Sequence, residues 1–207
     1  MINGLFITLE GIEGVGKTTA VETVASAMTT IGKNVVVTRE PGGTATGEQI
    51  REILLSRANQ EINAVTELFL LLAARNQHLQ EVVIPALESG KCVICDRYID
   101  ATFAYQGAGR KLGDAIVSQA NALIPDLIMP NLTFLLDTTA EVGLKRVGMR
   151  GLSDRFETET NKFFEVVRDC YLRRASDQPQ RIFLIDASRS LEAVSNDIKK
   201  HLMERYL

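Results

Sequence analysis

The chain has 207 residues, of which 45% are apolar and 24% charged, and a formal net charge of −3. That length fits one domain whose core needs neither disulfides nor a metal staple, and the slightly acidic balance excludes a broad electrostatic grip on nucleic acid. No apolar run is long enough for a membrane span, and Glu10 and Glu13 interrupt any secretory-type leader, so the expectation is a cytoplasmic protein.

In chain order, the first element is an apolar, β-branched run, Leu5–Leu9, followed by a glycine-rich stretch and a helix over 16–31. A second run, Val35–Thr38, leads through the Pro41-Gly42-Gly43 loop to helices over 46–57 and 61–88, with Pro85 expected to bend or end the latter. The third run, Cys92–Cys95, is followed by a helix over 112–123, and Pro125 through Asn131 reads as a loop. After the fourth run, Leu132–Leu136, helical periodicity covers 140–150 and 157–176, and the fifth run, Ile182–Ile185, precedes a helix over 190–205. Strands apolar on both faces and separated by helices predict an α/β fold with a parallel sheet covered on two sides. No repeat or linker divides residues 1–207, so one domain is expected. Cys92 and Cys95 sit inside a strand-like run, and with His78 and His201 as the only histidines a four-ligand zinc site is hard to assemble. Both cysteines, with Cys170, read as buried and inert in a reducing compartment.

Ligands of such sheets bind beyond the carboxyl ends of the strands, which directs attention to Glu10–Thr18, Arg39-Glu40, Asp96-Arg97 and Asp137-Thr138. Gly11-Ile12-Glu13-Gly14-Val15-Gly16-Lys17-Thr18 fits G-x-x-x-x-G-K-[ST], with Thr19 next in the helix. Glycines let successive N–H groups form an anion nest at a helix N-terminus. Lys17 would reach the outer phosphates of a nucleotide, and Thr18 would join a magnesium shell. A guanine-reading N-K-x-D is missing, because Asn161-Lys162 is followed by Phe163-Phe164. Asp96-Arg97 after the third strand suits a cation beside a second phosphate, or a plain ion pair at a strand end. Arg39, Arg51, Arg97, Arg146 and Arg150 add to the second-phosphate reading, the last two lying on one helical face before Gly151 and Asp154-Arg155. The segment 146–157 is expected to be a short lid that brings guanidinium groups onto a transferring phosphoryl.

Together these segments resemble bacterial thymidylate kinases over nearly the whole chain. The matching stretches are EGIEGVGKTTA, TREPGGT at 38–44, TELFLLLAARNQH at 66–78, DRYIDATFAYQGAGR at 96–110, PDL at 125–127 and SDRFE at 153–157. The resemblance implies the P-loop nucleoside monophosphate kinase fold, a five-stranded parallel sheet wrapped in helices with a short lid, in a homodimer. It implies transfer of the γ-phosphoryl of MgATP to dTMP. Arg97 and Arg51 would bind the dTMP phosphate, Glu40 would lie near phosphate and metal, and Asp96 and Thr18 would meet Mg²⁺. Arg75 would bond the thymine carbonyl, Thr102 and Gln106 would meet the other base edge, and Tyr105 would pack on the deoxyribose. Arg146 and Arg150 would close on the ATP phosphates, with Lys17, Arg97 and Glu13 completing the catalytic group and Asp186–Arg189 bordering adenine. Three positions depart from the family pattern: Leu71 replaces a base-stacking phenylalanine, Ala101 a serine and Gly148 an arginine. The residues leave room for two other readings, a kinase for another monophosphate and a P-loop switch protein. The arginines around a second pocket argue against the switch.

Overall fold

The computed structural model describes residues 3–59, 61–148 and 154–206. Five strands, β1 (Leu5–Glu10), β2 (Val35–Arg39), β3 (Cys92–Asp96), β4 (Leu132–Asp137) and β5 (Ile182–Asp186), form one sheet in the order β2-β3-β1-β4-β5. All four pairings are parallel. Each run therefore becomes a strand, and each strand extends one residue further than its apolar run, onto Glu10, Arg39, Asp96, Asp137 or Asp186. Ladder hydrogen bonds do not depend on side-chain polarity, so the pairing continues until the chain turns out of the sheet. Central β1, β3 and β4 bury Phe6, Ile7, Val93, Ile94 and Phe134 completely, as helices on both faces require. The two edge strands differ from the expectation of two buried faces: β2 leaves Val37 exposed, and β5 leaves Phe183 and Leu184 exposed.

The helices are α1 (Lys17–Thr30), α2 (Ala45–Leu55), α3 (Ala64–His78), α4 (Ile84–Glu88), α5 (Ile99–Thr102), α6 (Asp114–Asn121), α7 (Ala140–Gly148), α8 (Asn161–Asp177) and α9 (Leu191–Tyr206). Three departures from the sequence reading have physical causes. The expected helix over 61–88 runs as α3, a π-helical turn at Leu79–Val83, and then α4, in which Pro85 lies in the first turn. The wide turn absorbs the residue that has no N–H to donate. The second departure is a helical segment over Ile99–Gly109, whose latter part, Phe103–Gly109, is also π-helical. Its two glycines weaken the helical signal, and packing of Phe103, Ala104 and Tyr105 into the core supplies what propensity does not. The expected helix over 157–176 starts later, at Asn161, where the Thr160 side chain accepts from the Phe163 N–H as an N-cap. Cys92, Cys95 and Cys170 are buried and unpaired, and burial pushes their thiols up.

The chain reverses direction across the sheet at β1, so the loops after β1, β2 and β3 converge on one cleft. The glycine loop after β1 is pressed against α7. A Cβ on Gly14 would stand 2.1 Å from the Gly143 carbonyl oxygen, and a Cβ on Gly143 would stand 2.5 Å from that of Glu13. Backbone meets backbone here, with no flexible side chain to yield. Gly143→Ala should therefore cost about 1–3 kcal/mol by overpacking and weaken nucleotide binding, read by denaturant unfolding and an ATP titration; unchanged stability and binding would mean the two segments are free to separate.

Candidate active site

The loops enclose about 420 Å³, a volume that suits a mononucleotide. The cleft wall includes Glu13, Gly14, Gly16, Lys17 and Thr18 from the glycine loop and the start of α1, and Arg39, Glu40 and Arg51 from β2 and α2. Leu71 and Arg75 come from α3, and Asp96, Arg97, Ala101, Thr102, Tyr105 and Gln106 from β3 and the helical segment beyond it. Arg146 joins from α7, with Asp154, Phe156 and Glu157 from the far side of the expected lid. A smaller groove of about 370 Å³ adjoins it behind the glycine loop, lined by Thr19, Arg146, Ala187 and Arg189 among others. The sequence-predicted residues among those described line this cleft except Gly11, Ile12, Val15 and Thr19; Thr19 lines the smaller groove, and Ile12 and Val15 bury their side chains in the core. Arg150 lies outside the described residues.

On the donor side, Gly11, Gly14 and Gly16 have φ of 136°, 75° and 92°, the left-handed region in which a nest of N–H groups forms. Lys17 Nζ donates to the carbonyls of Gly11 (3.2 Å) and Ile12 (2.9 Å). Burial, and then the charge of Arg97, bring the Lys17 ammonium down to about 8. Arg97 sits at φ 67°, which turns its side chain back across the cleft. Its Nη2 donates to Glu13 Oε1 (2.9 Å) and its Nη1 to the Gly11 carbonyl (2.8 Å). Glu13 Oε2 accepts from the Tyr105 hydroxyl at 2.6 Å, and the Arg97 guanidinium lies 4.9 Å over the Tyr105 ring. One carboxylate on the glycine loop therefore ties down an arginine and a tyrosine from the opposite wall.

On the acceptor side, Glu40 is buried, taking Arg75 Nε on Oε2 (2.8 Å) and His78 Nδ1 on Oε1 (3.1 Å). His78 Nε2 lies 2.6 Å from Thr38 Oγ1. Arg75 also donates to Asn121 Oδ1 and Thr102 Oγ1, both at 2.9 Å. A guanidinium carries five N–H donors; three are taken here, which leaves two for a ligand. Gln106 Nε2 donates to the buried carboxylate of Glu67 (2.7 Å). Phe69, two residues before Leu71, is exposed on the outer face of α3.

Charge is balanced unevenly. Arg97 and Arg75 each have a carboxylate partner, but Lys17, Arg51 and Arg146 are held by carbonyls alone among the described residues. Arg51 Nη1 donates to the Pro41 carbonyl (2.9 Å), and Arg146 Nη1 to those of Ala187 (3.1 Å) and Gly14 (3.5 Å). Burial, and then the neighbouring Arg39 charge, lower the Arg51 affinity for its proton. Three such cations in a half-buried cleft call for anions. Asp96 contributes the opposite imbalance: its Oδ1 is buried with no hydrogen-bond partner among the described residues.

Glu10, at the strand end to which the sequence directs attention, is wholly buried, accepts from the Tyr98 N–H and the Tyr171 hydroxyl (both 2.8 Å), and is raised to about 7 by burial and by Asp100, against the pull of Arg97. Several supporting residues were not singled out by the sequence. Tyr171, His78, Asn121 and Glu67 brace the cleft from behind. Their only sequence signal is a polar residue inside an otherwise apolar stretch, as Glu67 is in TELFLLLAAR.

A glycine-loop phosphate site and a second, arginine-lined compartment, sharing one cleft at the reversal point of a parallel sheet, define a P-loop nucleoside monophosphate kinase. A family model described as thymidylate kinase matches residues 9–198. A thymidylate kinase of Pseudomonas putida (strain GB-1) is 49% identical over 95% of this chain and 94% of its own length. One from Chromohalobacter salexigens is 51% identical over 99% and 98%. A crystal structure of thymidylate kinase from Ehrlichia chaffeensis superposes with a TM-score of 0.79 at 33% identity, covering 97% of this chain and 99% of that one. The chain belongs to the thymidylate kinase family, and its five-stranded all-parallel sheet is the fold of that family.

The Lys17 environment sets a pH dependence. Only the ammonium form attracts phosphate, and the free protein loses that proton near pH 8, so ATP affinity should be steady below the transition and weaken roughly tenfold between pH 7 and pH 9. Titrations across that range check it, with Lys17→Arg as the pH-insensitive comparison; a flat profile for the unaltered chain would contradict the assignment.

Proposed function

We propose that the cleft transfers the γ-phosphoryl group of MgATP to dTMP, giving ADP and dTDP. The supporting observation is that Lys17 and Arg51, cations held by carbonyls alone, sit on the two walls of one cleft, each suited to one of two phosphate chains. In this reading the nest at Gly11–Thr18 holds the ATP phosphates with Lys17, and Thr19 and the groove beside Arg189 receive the rest of the nucleotide. Arg51 and Arg97 hold the dTMP phosphate. Arg146, Arg150 and the lid approach from the ATP side.

The acceptor oxygen belongs to a phosphate monoester, largely dianionic at neutral pH because its second pKa is about 6. No general base is therefore needed, and the residues act by orienting two anions in line and offsetting their repulsion. Magnesium fits the donor set. Asp96 Oδ1 is an unpartnered buried acceptor at the cleft wall, and Thr18 lies on that wall too. No cluster of three or more His, Cys, Asp or Glu side chains suited to a metal occurs among the described residues, which accords with an ion that arrives on its nucleotide. When bound, the ion would neutralise phosphate charge. Glu40 orients Arg75 through Oε2 and would lie near phosphate and metal, each of its oxygens keeping a second lone pair.

The base end is read by Arg75, Thr102 and Gln106, covered by Leu71, with Tyr105 held under the sugar by Glu13. A homodimer is part of the proposal, supported by the apolar side chains Val65 and Phe69 on α3 and Ile116 on α6, which are exposed in the single chain. The buried, unpaired cysteines suit the reducing cytoplasm. The segment 146–157 is proposed as a lid on one domain, 1–207.

A coupled ADP-release assay with dTMP, dUMP, dCMP and dGMP tests the reaction. Turnover should be greatest with dTMP; preference for another monophosphate would make the chain a kinase of different specificity, and ATP hydrolysis indifferent to all four would remove the acceptor site. Leu71→Phe should tighten dTMP binding about two- to tenfold by restoring aromatic stacking; equal or weaker affinity by calorimetric titration would place Leu71 away from the base.

A further inference from the structure

From the arrangement around the buried carboxylate of Glu67 we infer that this residue is a positioning residue for base specificity. It fixes the Gln106 amide so that an acceptor, and not a donor, faces the base. This rests on the reading of the Arg75–Gln106 end of the cleft as the base site.

Glu67 is fully buried on α3 and receives donors on both oxygens. Oε1 accepts from Gln106 Nε2 (2.7 Å) and Arg110 Nε (3.2 Å); Oε2 accepts from Arg155 Nη2 (2.6 Å) and Arg110 Nε (3.3 Å). The arginines are fixed from elsewhere, Arg110 by Glu159 (2.5 Å) and Arg155 by the Leu54 carbonyl (2.8 Å). A carboxylate facing two guanidinium groups offers only acceptors. An amide has a donor end and an acceptor end, and reversing Gln106 would set its carbonyl oxygen against a carboxylate oxygen with no proton between them. The NH₂ end therefore stays on Glu67, and the carbonyl end is left for the cleft that Gln106 lines.

Arg75 supplies the complementary half, with two N–H donors beyond those taken by Glu40, Asn121 and Thr102. Donors from Arg75 beside an acceptor from Gln106 match an imide edge, a ring carbonyl next to an N–H, as in thymine and uracil. Cytosine presents the reverse order, an amino donor next to a bare ring nitrogen. A freely rotating glutamine could turn an N–H toward the bare ring nitrogen of cytosine; one anchored by Glu67 cannot, and leaves that contact with acceptor facing acceptor, in addition to the Arg75 donors that oppose the cytosine amino group in either case. The selection is thus made one residue behind the contact surface.

The experiment compares kcat/KM for dTMP and dCMP in three variants. Glu67→Gln frees the amide, and the dTMP-to-dCMP ratio should fall about tenfold, the scale of one hydrogen bond reversed. The reciprocal pair, Glu67→Gln with Gln106→Glu, lets the new amide donate to the new carboxylate, whose outward oxygen is again an acceptor; the ratio should return to the unaltered value. Gln106→Leu removes the acceptor and should lower the ratio whatever Glu67 does. If Glu67→Gln slows both substrates equally, or the reciprocal pair leaves the ratio low, Glu67 is a packing residue and the inference falls. If Glu67→Gln does not fold, the reciprocal pair, which keeps the anion, decides alone: a wild-type ratio supports the inference, and one as low as that of Gln106→Leu overturns it. An unchanged ratio in Gln106→Leu would instead remove the base-site reading itself.

Discussion

Buried guanidinium groups must be kept charged and aimed, and this requirement organises the cleft. Two of the arginines that line it are leashed to carboxylates, Arg97 to Glu13 and Arg75 to Glu40. Each leash uses part of the guanidinium and leaves the remainder directed into the cleft. A buried ion pair stabilises a fold only weakly once desolvation is counted, and its clearer value is in specifying one arrangement. Lys17, Arg51 and Arg146 have only carbonyls as hydrogen-bond partners among the described residues, and in the proposed reading the phosphates supply the charge that would balance them. The pattern separates residues that give the site its shape from residues that give it affinity.

The same logic links the two compartments. Glu13 belongs to the loop that would hold the donor, yet it secures Arg97 and Tyr105 of the acceptor wall. Movement of the glycine loop would therefore be felt by the acceptor wall through one carboxylate. Behind it, Tyr171 joins Glu10 to Arg97, so α8 braces the centre of the sheet and the cleft together. The close packing of Gly14 on Gly143 adds a backbone contact from α7. The donor loop is held on three sides before any ligand enters.

How much of this was readable in the sequence depends on how local each feature is. The five strands were legible because β-branched runs carry a local signal, and the cleft because parallel sheets place their ligands beyond the strand ends, where Glu10, Arg39, Asp96 and Asp137 stand. Arg97 was legible from its place after the third run, and Leu71, Arg75 and Gln106 only through the resemblance to thymidylate kinases. Glu67, His78 and Asn121 were not, because burial of a polar group becomes visible only when its partner arrives: Glu67 meets Arg155 from 88 positions away. Nor could composition show Arg97 at positive φ or the exposure of β2. The helical segment after β3 was missed for a related reason, since tertiary packing and not propensity maintains it.

That segment has a further consequence. A π-helical stretch accommodates more residues per turn than an α-helix, and Phe103–Gly109 uses this to send neighbouring side chains to different tasks, Tyr105 toward the glycine loop and Gln106 toward α3. Excising or adding a single residue would rotate everything downstream relative to the core and separate those two destinations. The span between Thr102 and Arg110 is therefore constrained in length as strictly as in composition, and lineages that vary their surface loops freely should be unable to vary this one.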